Sequence, residues 1–187
     1  MAKNLLHIPV IEEKDEQGNI KTSIEVIAGK LKEESAPTPP PNSWANDNDN
    51  HVGVFNIKME PGSTLELEGT TEEVNRTIYY YKGTGLTIQD KEIANYHAAE
   101  VDSTKKLIIK NGDKVAKLLV LQGKPIGEPV VQHGPFVMNT RKEIQQAFND
   151  YHSTQYGGWP WPKYDQVHDR AKSRFALHSD GTLEEKS

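Results

Sequence analysis

The chain has 187 residues, no cysteine and a net charge of −5, with 35% hydrophobic and 7% aromatic residues and a mean hydropathy of −0.72. This balance excludes a disulfide scaffold and a thiolate metal site, and it argues against a nucleic-acid surface, which needs clustered Lys and Arg. No apolar run is long enough to span a membrane, and Leu5–Ile11 lacks the length and cleavage signal of a secretory leader, so the cytoplasm is the expected location.

Taken in chain order, Leu5–Ile11 and Ile20–Ala28 are predicted strands, joined as a hairpin by the turn Glu16-Gln17-Gly18-Asn19. Ile24, Val26 and Ala28 give the second strand one apolar face. Ala36–Pro41 (APTPPP) predicts a stiff extended connector. Asn46–Asn50 (NDNDN) predicts a solvated loop tip; the spacing and terminal Glu of a calcium loop are missing. His51–Met59 alternates, with Val52, Val54, Ile57 and Met59 expected inside across one register break. Pro61-Gly62 turns the chain into Thr64–Glu68, where Leu65 and Leu67 point inward. Thr77–Tyr81 is a β-branched and aromatic strand whose three tyrosines alternate between faces. Gly83 and Gly85 lead into Leu86–Gln89. Asn111-Gly112, between Lys106–Lys110 and Val115–Leu121, is the strongest short hairpin signal. Strands at this spacing predict an all-β sandwich or jelly roll.

The strongest helix signal follows Thr140. Its hydroxyl is the predicted N-cap, Glu143 completes a capping box, and Ile144, Ala147, Phe148 and Tyr151 form one apolar stripe for docking. Gly134-Pro135-Phe136 shapes the turn ahead of it, and Gly157-Gly158 ends the helical stretch. Trp159-Pro160-Trp161-Pro162 opens an irregular tail whose tryptophans are expected to dock within the chain or on a second subunit.

The run GKPIGEPVVQHGPFVMNTRKEIQQAFNDY (Gly123–Tyr151) resembles the signature of the pirin family near the end of its C-terminal cupin domain. GEPV, GPFVMNT and EI-x-x-A occur in order and at the family's spacing. IEVIAGK (Ile24–Lys30) resembles the start of the same domain, and GGWPWPKYDQVHDRAKSRFALHSDG resembles the extension of many bacterial pirins. The resemblance implies a cupin jelly-roll barrel over residues 1–156, closed by a helix at about 140–152, and an extension at 157–187. Pirins are normally bicupins whose metal-binding half precedes the part seen here.

Metal-dependent cupins bring paired histidines, a carboxylate and a third histidine together in the barrel mouth, leaving open positions for oxygen and substrate. The seven histidines here contain no H-x-H pair, the nearest two, His168 and His178, being ten residues apart. The cupin pattern laid on Gly62 puts Glu68 and Thr70 at the paired positions, and the second motif laid on Gly112 puts Val115 at the third. The expectation is therefore no metal, no cofactor and no catalytic residue; His51, His97 and His133 with Glu100 are the candidates for an unconventional site. A Ser/His/Asp arrangement has no support, since no G-x-S-x-G occurs.

Two functions compete. One is a non-catalytic binding and assembly module, either a homo-oligomer or the partner of a separate N-terminal pirin-like cupin chain. The other, carried by resemblance alone, is a quercetin 2,3-dioxygenase using Fe(II) or another divalent metal. A regulatory role with a transcription-factor partner is a third reading, by analogy with eukaryotic pirins.

Overall fold

The structure is a computed structural model that describes residues 7–161, 163–164, 167–172 and 174–185. These fall into two units, 7–126 and 127–185. No helix among the described residues is long and apolar enough to cross a membrane.

In the first unit, β1 (Val10–Lys14) and β2 (Ile20–Ala28) form the expected hairpin. Asp15 Oδ1 accepts the Gln17 and Asn19 N–H groups at 3.1 and 2.8 Å, and Gly18 takes the left-handed conformation. The first strand starts later than predicted, at the sheet edge, where Glu12, Glu13 and Lys14 suit a strand with one free side. The Leu5 and Leu6 part of that prediction lies outside the described residues. Short pieces β3 (Lys30–Leu31) and β4 (Glu34–Ser35) precede the proline connector.

In the NDNDN segment Asn46, Asp47, Asn48 and Asp49 are exposed, as a solvated tip requires. Two short 3-10 turns shape it, and Asn50 departs from the expectation, buried with its amide donating to Trp44 O at 2.8 Å. The Trp44 indole in turn donates to Lys124 O at 2.9 Å. The loop is thus held by contacts remote in sequence.

The main body is two antiparallel sheets. β5 (Gly53–Met59), β7 (Asn75–Lys82), β10 (His97–Val101) and β12 (Ala116–Gly123) join β1 and β2 in the order β1-β2-β5-β12-β7-β10. β6 (Thr64–Leu67), β8 (Leu86–Ile88), β9 (Lys91–Ile93) and β11 (Leu107–Lys110) form a second sheet, β6-β11-β8-β9. Alternation decides the core: Ile24, Phe55, Ile57, Met59, Ile78, Tyr80, Leu118 and Val120 from the first sheet meet Leu65, Leu86 and Ile109 from the second. Each side chain of this kind contributes about 1.5–3 kcal/mol on burial. In β5 the alternation is unbroken. Phe55 takes the inward place and Val54 is half-buried on the opposite face, so the predicted register break does not exist. The three tyrosines alternate as expected, with Tyr80 1% exposed and Tyr79 and Tyr81 41% and 37%.

Asn111-Gly112 makes no hairpin. β11 pairs with β6 and β8, whereas β12 pairs with β5 and β7, so this segment crosses between sheets. The Asn111 amide donates to Met59 O, Glu60 O and Lys114 O at 3.1, 2.9 and 2.8 Å. Gly112 is required by closeness rather than by a left-handed turn: a Cβ there would stand 2.3 Å from Thr84 O.

In the second unit, β13 (Val131–His133) and β14 (Phe136–Met138) form a hairpin through Gly134-Pro135. Helix α1 (Arg141–Thr154) follows, with the capping box in place: Glu143 N–H donates to Thr140 Oγ1 at 3.2 Å and Thr140 N–H to Glu143 Oε2 at 2.7 Å. Ile144 and Ala147 are buried. Phe148 packs edge-on to Phe136 at 5.0 Å, and Tyr151 stays 46% exposed beside Phe136 and Tyr156. Left-handed Gln155 and Tyr156 stop the helix before the glycine pair. The tail is less irregular than expected. β15 (Phe175–Leu177) and β16 (Leu183–Glu185) pair around Asp180-Gly181, with Thr182 N–H on Asp180 Oδ1 at 2.9 Å. Asp-Gly is a turn signal legible in the sequence, and it explains this pairing.

Candidate functional site

One end of the two-sheet body opens into a cavity of about 400 Å³. It gathers the first residues of β5 and β7, the last of β12 and the rim that follows β6. Gly53 lets two of its lining side chains pack close, since a Cβ there would meet Phe55 Cζ at 2.6 Å and Gln122 Cγ at 2.8 Å. Gly69 on the rim approaches Thr104 O so closely that a Cβ would stand 2.3 Å away. Thr70 N–H and Oγ1 both donate to Ser103 O, at 2.7 and 3.1 Å, and anchor the same rim.

Arg76 is the central feature. Along β7 the residues Arg76, Ile78 and Tyr80 share the inward face, so an arginine falls where the pattern calls for an apolar side chain. It is 5% exposed. Its Nε donates to Gln122 Oε1 at 2.9 Å, and Gln122 Nε2 donates to His51 O at 3.2 Å. Its Nη1 is buried without a partner. Burial pulls the guanidinium's pKa below its ordinary value, and no acid opposes the effect. The acids that line the cavity pair with lysines: Glu13 with Lys32, while Glu66 and Glu68 share Lys106.

The sequence-derived candidates occupy different places. His51 is half-buried at the cavity. His97 is exposed on edge strand β10, with Nδ1 3.0 Å from Asn95 O, and pairs with Tyr80 at the opposite end of the sheet. Three inter-strand steps and about six residues along the strand, since His97 lies in register with Ile57, put it on the order of 20–25 Å from His51. Glu100, also exposed on β10, lines a neighbouring cavity with Arg76 and Asp102. His133 lies in the other unit, its ring 5.3 Å from that of Phe148. Glu68 and Thr70 do reach the cavity, but Val115 does not line it.

No group of three or more His, Cys, Asp or Glu side chains suited to a metal ion occurs among the described residues. A divalent cation fits the cavity poorly on donor chemistry alone. The cavity offers one imidazole and lysine-paired carboxylates, and it places a fixed, buried positive charge beside them. Sequence reading missed Arg76 and Gln122. The signal was available, because extending the Thr77–Tyr81 alternation back one residue puts Arg76 on the buried face.

The Pirin C-terminal cupin domain matches residues 54–157. A Vibrio cholerae protein provisionally named quercetin 2,3-dioxygenase is 31% identical over 139 residues, covering 74% of this chain and 43% of that protein. Human pirin is 38% identical over 68 residues, 36% of this chain and 23% of pirin. The crystal structure of a quercetin 2,3-dioxygenase from Acinetobacter baumannii superposes with a TM-score of 0.64 at 26% identity, covering 80% of this chain and 48% of that one. The chain spans about half or less of the length of these relatives.

Proposed function

Because the chain belongs to the Pirin C-terminal cupin domain family, we propose that its barrel is a metal-free binding and assembly module that does not catalyse a reaction alone. The observation that carries this reading is the buried guanidinium of Arg76, without a counter-ion, in the cavity where a cupin metal would need converging imidazoles. Metal analysis of the purified chain by elemental mass spectrometry, before and after chelation, tests it. Substoichiometric transition metal is expected; near one equivalent surviving chelation would overturn it.

The proposed partner is a second cupin-type barrel, from another copy of this chain or from a separate N-terminal pirin-like chain. Support comes from the outward face of the six-stranded sheet. Leu119 stands between Asn56 and Tyr79, and Leu121 between Val54 and Thr77. Tyr79, Tyr81 and Leu121 are all at least 36% exposed there. Sedimentation velocity over a range of concentrations should show self-association that Leu121→Asp weakens. A strictly monomeric wild type that also ignores an N-terminal cupin chain would sink the assembly reading. The proposed division keeps residues 1–156 as the cupin module and 157–187 as its extension, supported by a family match that ends at residue 157. The cytoplasm is the proposed compartment, where a cysteine-free chain gives up no disulfide to the reducing poise.

Quercetin 2,3-dioxygenase activity is the second reading, favoured by the likeness to the Acinetobacter baumannii enzyme. It requires a divalent metal at His51, His97, His133 or Glu100. His97→Ala should then lower metal content and activity together.

A further inference from the structure

We propose that the cavity at the end of the barrel binds a small aromatic monocarboxylate, its carboxylate on the Arg76 guanidinium and its ring against Phe55. The proposal rests on the metal-free reading of the same cavity. Arg76 is the only residue that carries a charge at neutral pH among the buried residues described; the other buried polar ones are Thr22, Asn50, Ser63, Ser103 and Asn111. A charge removed from water without a counter-ion is costly, and a charge-assisted, planar partner is what offsets it.

The guanidinium is held in place for that role. Gln122 accepts from Nε and is itself fixed by the His51 carbonyl, so the fork is oriented without its charge being neutralised. Nη1 has no partner. The cavity's carboxylates do not supply one, because Glu13, Glu66 and Glu68 have lysine partners.

Arg76 also borders the adjoining cavity, of about 660 Å³. That one is lined by Glu72, Glu100 and Asp102 and by no lysine, whereas Lys30 and Lys32 line the barrel-end cavity. The barrel-end cavity is the compatible side. Phe55, Leu31 and Leu67 line it together with Arg76, the mixture that a flat body with one anionic end requires. A dianion such as phosphate would leave one charge facing the glutamates of the rim.

Calorimetric titration of the full chain with benzoate, and with benzamide as its uncharged counterpart, tests the proposal. Benzoate is expected to bind one to one, with benzamide and the Arg76→Met variant each weaker by at least about tenfold. Equal affinity for benzamide, or unchanged benzoate binding in a folded Arg76→Met protein, would overturn it. So would a rise in melting temperature that chloride reproduces at the same concentration. The benzamide comparison uses the wild-type chain and stands even if the variant does not fold. Metal analysis of the same sample separates two failures: stoichiometric metal removes the metal-free reading, and no metal with no benzoate binding removes the carboxylate site alone.

Discussion

Asn111 Nδ2 donates to Met59 O at 3.1 Å, tying the crossing from β11 to β12 onto the end of β5. Two further carbonyls, Glu60 O and Lys114 O, share the same amide. Asn111→Ala should cost about 2–4 kcal/mol, because it strands buried acceptors. Asn111→Asp should cost more, since a carboxylate would face three carbonyl oxygens. Urea unfolding of both variants checks the order. Equal midpoints with wild type would mean the amide is not a structural tie.

The glycines should rank by what surrounds them. A Cβ at Gly112 or Gly69 would lie 2.3 Å from a backbone oxygen, so either alanine variant must displace main chain. At Gly62 a Cβ meets nothing within 4 Å, and only the φ of +68° opposes it. Gly62→Ala should cost about 1 kcal/mol and the other two distinctly more, read from thermal midpoints.

The capping box predicts a local effect in the second unit. Thr140→Ala removes the acceptor for Glu143 N–H and should destabilise α1 by about 1 kcal/mol, whereas Thr140→Ser should be close to neutral. Amide hydrogen exchange over Arg141–Thr154 reports this directly. Faster exchange restricted to the first turns is the expected pattern, and no difference between the two variants would contradict it.

Asp102 offers a test by pH. The Thr104 hydroxyl, then Lys105 and the Thr104 N–H, lower its pKa from 3.8 to about 2. A carboxylate whose pKa is depressed by folding stabilises the native state above its unfolded pKa, and that contribution fades as pH falls through the folded value. The stability difference between wild type and Asp102→Asn should therefore be full above pH about 4 and shrink toward pH about 2. Thr104→Ala should move the Asp102 midpoint upward in an NMR titration. An unmoved midpoint would assign the shift elsewhere.

The elements that the sequence determined alone are those whose cause is local. Thr140 and Glu143 cap each other across three residues, and the 3.6-residue stripe includes the buried Ile144 and Ala147 together with half-buried Phe148 and exposed Tyr151. Two-residue alternation identifies Leu65 and Leu67 as core and places Tyr80 on the face opposite Tyr79 and Tyr81, without saying which face is inside. The signature from Gly127 to Ala147 is contiguous, so family and cupin fold are legible in the amino-acid order itself. Tertiary structure alone decided what depends on segments far apart in the chain. Asn111-Gly112 carries a hairpin signal, yet the carbonyls it meets come from β5 and from Thr84, so the segment crosses between sheets instead. Inserting β12 between β5 and β7 brings Gln122 opposite Arg76, 46 residues away, and closes the arginine into a cavity where its Nη1 meets no partner. Periodicity can say that a side chain points inward; only the packed sheets determine which charges meet it there, because those partners arrive from other strands.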